Sequence, residues 1–418
     1  MARMKVQHFG PIREGFTEND GWMDFAQVTV FIGNQGAGKS TLAKLYATFS
    51  WLEKAIVRGD HERKWFERKN RFRTQFLRYH RLEHYFSGAG PAPVIEYEGE
   101  ACRIVYRQDC LHIEGVHTQR YSLPQIMYVP AERNFIAYVK SPKELKLSSD
   151  ALIEFLVEFD IAKQELRTPV RLPINDTYLD YDRLNDALSI RDEHYKLRLT
   201  DASSGFQSAV PLLLVSQHLA STIVNDARRD APDGQPISTE QLARFRKEIE
   251  QIFKGVNMTE ELRRAALSAA SARFAKSAFI NIVEEPEQNL YPLSQWHVLQ
   301  RLLQLNNANN NNRLVMTSHS PYILNYLNIA AFGHSLKRKI ETRQTPGLLE
   351  QLGAVIALDA LVDPGHLVAY QASEADGTVR RIKMTDGVLA DAHDLNEFLR
   401  EGNRLFDRLL DIEERLPQ

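Results

Sequence analysis

The chain has 418 residues, 43% hydrophobic and 25% charged, with a formal net charge of -2. That is the composition of an ordinary globular protein with a large core, and the small net charge removes any argument for a polyanionic partner from global charge alone. Two cysteines, Cys102 and Cys110, are too few for a disulfide framework, and no run of about 18 apolar residues offers a membrane span, so a cytoplasmic protein with buried free thiols and no membrane contact is expected.

Residues 4–9 alternate as a first strand, and Gly10-Pro11 marks a turn. Gln27–Ile32 is a β-branched run that reads as a buried strand. Directly after it comes Gly33-Asn34-Gln35-Gly36-Ala37-Gly38-Lys39-Ser40, followed by Thr41 and a helix. This fits the phosphate-loop pattern G-x-x-x-x-G-K-[ST] in full, with the required strand before and helix after. Glycines let the backbone wrap a polyphosphate and turn its N–H groups inward, while the helix start adds its positive end. Lys39 is placed to meet the β- and γ-phosphates of ATP, and the Ser40 hydroxyl to ligate Mg2+.

Residues 53–86 read as a helical insertion rich in basic and aromatic residues, with nine Lys/Arg against three Asp/Glu over Arg58–Arg81. A solvated helix face packed by its aromatics competes there with a surface for nucleic acid or an acidic protein. Short strands are expected over 92–130, ending in Gln125–Val129, and a charged helix over about 141–170. Pro130-Ala131-Glu132-Arg133 follows the last of these strands, as an ordinary salt-bridged loop or as a stretch that resembles the one near the Q-loop of phosphate-loop ATPases. Residues 209–275 read as a helical insertion with a polar break at Asp230–Gln235.

Phe279–Val283 is an apolar strand ending in Glu284-Glu285-Pro286. Side chains at the carboxyl end of a parallel strand face the ligand crevice, so Glu284 is expected to hold Mg2+ and Glu285 to orient or deprotonate the attacking water. A helix from near Leu293 to about Leu305 and a loop of six Asn and one Ala over Asn306–Asn312 lead to the strand Arg313–Thr317. His319 stands just beyond that strand, placed to touch the γ-phosphate and report its presence. Residues 331–418 read as a small α/β appendage: strands at His366–Gln371 and Thr378–Met384 paired around a turn, then an amphipathic helix whose apolar face serves simple packing or, as the alternative, an oligomer contact. The fold class is α/β, with a mainly parallel sheet.

Taken together, Phe9-Gly10-Pro11-Ile12, Gly33–Thr41, Glu284-Glu285-Pro286-Glu287 with Leu290-Tyr291-Pro292, and Thr317-Ser318-His319-Ser320-Pro321 resemble the ABC-type ATPase heads of SMC-like and OLD-family proteins. The stretch Ala202–Gln207 looks like the ABC signature, with Ser203, Ser204 and Gly205 as its nucleotide-facing residues. The resemblance covers about residues 1–330. It implies a P-loop NTPase of ABC type with an N-terminal antiparallel strand subdomain and a helical insertion. It also implies Mg-ATP sandwiched between two copies, with the signature of one closing over the nucleotide of the other. Glu284 stands where such proteins usually carry Asp.

Among these heads, the size, the Phe9–Ile12 start and the helical tail resemble the ATPase subunits of bacterial anti-phage systems of the PARIS type. That resemblance implies a homo-oligomeric scaffold that holds a separately encoded effector nuclease of Toprim type until a phage-encoded trigger releases it. A DNA-acting repair or recombination ATPase is the alternative.

Overall fold

The computed structural model describes residues 2–86, 90–116, 121, 123–138, 147, 149–230 and 277–413. The chain opens with β1 (Ala2–Gln7), β2 (Gly15–Phe16), β3 (Met23–Phe25) and β4 (Val28–Gly33), then α1 (Lys39–Arg58) and the short α2 (Arg63–Phe66). Next come β5 (Val94–Glu98), β6 (Arg103–Arg107), β7 (Cys110–Glu114) and β8 (Pro124–Val129), followed by α3 (Asn134–Tyr138) and α4 (Asp150–Glu165). Four further strands, β9 (Val170–Arg171), β10 (Tyr178–Asp182), β11 (Ala187–Arg191) and β12 (Lys196–Arg198), precede the long α5 (Ser204–Asp230). The remainder is β13 (Ala278–Glu284), α6 (Pro292–Asn307), β14 (Arg313–Ser318), α7 (Pro321–Thr342), α8 (Gly347–Val355), β15 (Leu367–Ala372), β16 (Thr378–Arg381) and α9 (Asp394–Glu413).

A seven-stranded sheet in the order β2-β16-β15-β4-β14-β13-β8 organises the molecule. Its central pairs are parallel, and only β15–β16 is antiparallel. All six residues of β4 are buried. Val28, Val30 and Ile32 enter one core with Leu314, Met316 and Val283, while Phe31 enters a second core with Val315 and Ile282. The two-residue period of a strand thus serves a sheet covered on both faces, which is why these strands read as continuous apolar runs. The second core is closed by α1, through Leu42, Leu45 and Phe49, and by an antiparallel sheet ordered β3-β1-β5-β6-β7. The first core is filled by α5, α6 and α7, through residues such as Leu212, Leu302 and Leu327. Each such fully buried side chain contributes on the order of 1.5–3 kcal/mol.

The structure revises several expectations. The described part of 331–418, up to residue 413, is not an appendage: β15 runs parallel to the phosphate-loop strand, Leu367 opposite Val28 through Ala372 opposite Gly33. A short strand shows its partner only in three dimensions, and here the partner lies more than 300 residues earlier. The hairpin pairing of this strand with β16 is as expected. The apolar face of α9 packs at its start, where Leu395 lies against the first core, but farther along Leu405, Phe406, Leu409 and Ile412 are exposed.

Of the basic segment 53–86, the first six residues belong to α1, and a π-helical turn covers Phe72–Leu77. Its aromatics Phe66, Phe72 and Phe76 are core residues, Arg58 pairs with Asp60 in a buried ion pair, and Arg71 stacks over Trp65. The helical insertion expected over 209–275 begins as one uninterrupted helix with the signature stretch, and its part beyond 230 lies outside the described residues, as do 141–146 of the helix expected before it. The four-stranded antiparallel sheet β12-β11-β10-β9 was not expected; its strands are short and polar on one face, which leaves little periodic signal.

The asparagine tract is not all loop. Asn306 and Asn307 end α6, and buried Asn312 accepts the Phe279 N–H at 2.7 Å, satisfying the start of β13. Cys102 is buried, whereas Cys110 is only half-buried, and both are free. No described helix is long and apolar enough to cross a membrane.

Candidate nucleotide site

The carboxyl ends of β4, β14 and β13 bring the sequence motifs to one edge, with Glu284 opposite Thr317 and Ser318 opposite Ile32 in register. The loop 34–38 leaves β4 and enters α1 at Gly38, whose φ of 93° is left-handed. A Cβ at Gly33 would lie 2.1 Å from the Ala372 carbonyl oxygen, and one at Gly38 would lie 2.4 Å from Ile12 Cδ1. The glycines therefore let the loop lie against β15 on one side and the Phe9–Ile12 turn on the other. That turn is closed by two reciprocal backbone bonds, Phe9 N to Ile12 O and Ile12 N to Phe9 O.

Lys39 uses all three of its donors. Nζ donates to the carbonyl oxygens of Gly33 at 2.9 Å and Asn34 at 2.8 Å, and it lies 3.3 Å from His319 Nδ1. An ammonium has no acceptor, so Nδ1 accepts and the imidazole proton sits on Nε2. That nitrogen faces Glu285 Oε1 at 3.2 Å. His319, expected to touch the γ-phosphate, bridges the loop lysine and the candidate water-orienting carboxylate. Burial lowers the Lys39 pKa to about 8, against the raising influence of Glu285, Glu287, Glu374 and Glu284. The His319 hydrogen bond holds the Glu285 carboxyl below the usual carboxylate range, assisted by the charges of Arg133 and Lys39 and opposed by burial.

Glu284 is buried. Its Oε2 accepts from Ala131 N at 3.2 Å, while the buried Oε1 makes no well-formed hydrogen bond among the described residues. The Tyr128 hydroxyl lies nearby: burial first, and then the Glu284 carboxylate, push its pKa well up. A buried carboxylate is costly unless donors or a cation complete it. Glu285 next to it adopts φ 45°, a left-handed conformation unusual for a glutamate, and its N–H donates to Thr317 O at 2.9 Å.

The sequence reading passed over Glu287 as a site residue. Its Oε1 accepts from the Ser318 hydroxyl at 2.8 Å and the His319 N–H at 2.7 Å, so it fixes the backbone that carries the histidine. Burial pushes its carboxyl pKa up. The only sequence signal for it was the third acid of Glu284-Glu285-Pro286-Glu287. Ser320 completes the clamp: its hydroxyl donates to Gln295 and accepts from Tyr322 N, capping α7.

Glu374 was also missed. It lies in the β15–β16 turn, where Oε1 accepts from Asn34 Nδ2 at 2.8 Å, and the neighbouring carbonyls accept from Arg13. An exposed carboxylate therefore sits at the mouth of the phosphate loop. Glu374→Gln keeps an acceptor for Asn34 but removes the charge, and is expected to tighten ATP binding by about three- to tenfold, less at high salt. Titration with a fluorescent ATP analogue at two ionic strengths checks this; unchanged affinity at low salt would show that the carboxylate does not act on the phosphates.

The signature-like residues stand apart. Ser203 and Ser204 are exposed and Gly205 is half-buried at the start of α5, with no hydrogen bond to the phosphate loop among the described residues. Gly205 abuts the loop after β13, where a Cβ would come within 2.9 Å of Asn289 O. The fully buried Arg133 donates to the carbonyls of Pro130, Ser208, Glu284 and Glu285. The loop 130–133 is thus no ordinary salt-bridged one, since this guanidinium is held by main-chain oxygens.

No family model matches this sequence, and no curated protein matches it. Among solved structures it is similar to an SMC head domain from Thermotoga maritima, at 11% identity over 92% of this chain and 98% of that one, with a TM-score of 0.36. An SMC head bound to the C-winged-helix domain of ScpA compares at 9% identity, 92% and 97% coverage, and a TM-score of 0.36. An SMC head with an extended coiled coil, bound to the C-terminal domain of ScpA from Pyrococcus furiosus, compares at 10% identity, 98% and 100% coverage, and a TM-score of 0.34. Likenesses this slight leave the functional argument to the site itself.

Proposed function

We propose that this chain is an ATP-binding and ATP-hydrolysing head of the ABC type, two copies of which close over nucleotide. The observation that carries this reading is the relay Lys39–His319–Glu285 at the edge of three parallel strands, beside the buried carboxylate of Glu284. Loop N–H groups of residues 33–41 and Lys39 hold the β- and γ-phosphates. Glu284 and Ser40 suit Mg2+, a hard cation that takes oxygen ligands, and the ion when bound offsets phosphate charge. Glu285 orients the water that attacks the γ-phosphorus as the bond to the ADP oxygen breaks, and His319 holds Glu285 in place.

Ser203, Ser204 and Gly205, exposed at a helix start, serve the nucleotide of the second copy. Ser203→Arg is expected to leave nucleotide affinity per chain within about threefold while abolishing ATP-dependent pairing. Light scattering after size exclusion with Mg-ATP tests it; pairing that survives the substitution would place the shared face elsewhere.

The finer reading is a sensor and scaffold in anti-phage defence that controls a separate effector nuclease and responds to a phage-encoded trigger. Its support is the resemblance of the motif set. A DNA-acting repair or recombination ATPase is favoured by one observation: Lys64, Arg68, Lys69 and Arg78 are exposed outside any ion pair among the described residues. DNA-stimulated hydrolysis, abolished by charge reversal at those four positions, would select that alternative.

A further inference from the structure

Arg133 has no exposed surface and makes no ion pair within 4 Å among the described residues, yet its guanidinium donates to four main-chain carbonyls. Nη1 reaches Glu284 O and Nη2 reaches Glu285 O, each at 2.6 Å, and Nε reaches Ser208 O at 3.1 Å. Two of these carbonyls flank the left-handed Glu285, and the third lies in the second turn of α5, the helix that begins with the signature-like residues. A side-chain bond from the Ser208 hydroxyl to Gln288 at 2.9 Å and the close approach of Gly205 to Asn289 tie the same two segments. Burial lowers the Arg133 pKa to about 10 against the charges of Glu287, Glu285 and Glu284, and the planar fork spends its hydrogen bonds on carbonyls from separate segments.

We propose that Arg133 is a positioning residue that locks the carboxylate loop 284–289 to the signature helix α5, so that occupancy of one ATP site in a closed pair sets the geometry of the other. This rests on the two-copy ATPase reading above. In such a pair, the carboxylates of a chain act on its own nucleotide and its α5 start meets the partner's. A rigid bridge between them makes the two sites report on each other, because α5 cannot shift on engaging the partner's nucleotide without moving the Glu285 backbone. Arg133 itself lies in the interior and touches no nucleotide position.

The test is an ATP titration of hydrolysis and, separately, of binding, for wild type and Arg133→Lys. Lysine keeps the charge but is a compact ammonium without the planar five-donor fork, so it cannot reach all four carbonyls in the positions they hold around the guanidinium. We expect ATP binding per chain within about threefold of wild type, kcat at least about tenfold lower, and a Hill coefficient falling from about two toward one. An unchanged Hill coefficient overturns the proposal, as does a loss of binding in step with kcat, which marks general collapse of the site. If Arg133→Lys does not fold, Ser208→Ala cuts the parallel bond to Gln288 at the same junction. A reduced Hill coefficient with intact binding then supports the bridge, and an unchanged one overturns it. Wild-type protein that binds no ATP would instead remove the ATPase reading, a result separable from both.

Discussion

Lys39→Ala is expected to weaken ATP binding by about 100-fold or more. The side chain is the cation at the centre of the loop, and its three neutral acceptors, Gly33 O, Asn34 O and His319 Nδ1, are all groups that a phosphate oxygen can outcompete. Isothermal titration calorimetry measures the loss; ATP bound normally by Lys39→Ala would mean that the phosphates sit elsewhere.

Protonation gives the same residue a second signature. Burial brings the Lys39 pKa to about 8, so above that value the free protein holds a neutral amine. Phosphate favours the charged form, hence ATP binding at pH 9 takes up a proton and weakens as pH rises past about 8. The sign for stability is opposite. The folded-state pKa lies below the unfolded value, so the cost of burying the cation is fully present below about pH 8 and fades as pH rises toward the unfolded pKa. The melting temperature of wild type relative to Lys39→Met should therefore improve between those limits.

Glu285→Gln is expected to lower kcat by about 100- to 10,000-fold while leaving ATP binding intact, so that closed ATP-bound pairs accumulate. Glutamine keeps an oxygen for the His319 Nε2 proton, which preserves the relay and isolates the loss of the carboxylate charge. Single-turnover hydrolysis, with light scattering to count paired chains, separates chemistry from assembly; normal turnover would remove Glu285 from the water-orienting role. The carboxylate is held below its ordinary pKa chiefly by His319. His319→Ala should therefore shift the acid limb of the rate profile upward in pH, because the depressed value was what kept the group ionised as acidity rose.

The phosphate loop, the double acid, the histidine after the next strand and the buried parallel strands could all be read from the chain. Each is carried by a few consecutive residues whose backbone conformation and chemistry are local: glycines that free a turn, β-branched runs that fill a sheet covered on both faces, and acids at a strand end. Their convergence on one edge follows once the strands are parallel. What stayed hidden depends on contacts between distant segments. Nothing in the short run Leu367–Ala372 shows that it pairs with Val28–Gly33, because strand pairing has no sequence-local signal beyond alternation. For the same reason Glu374 could not be placed beside Asn34, nor Glu287 beneath His319.

Arg133 is the sharpest case. In sequence it is one basic residue after a strand, ordinarily assigned to the surface. Only the tertiary structure brings the ends of β8 and β13 and the second turn of α5 close enough for four carbonyls to surround it. The sequence by itself determined which groups can do chemistry on a polyphosphate. The tertiary structure decided which of them touch, because a hydrogen bond is made over about 3 Å and chain distance carries almost no information on that scale.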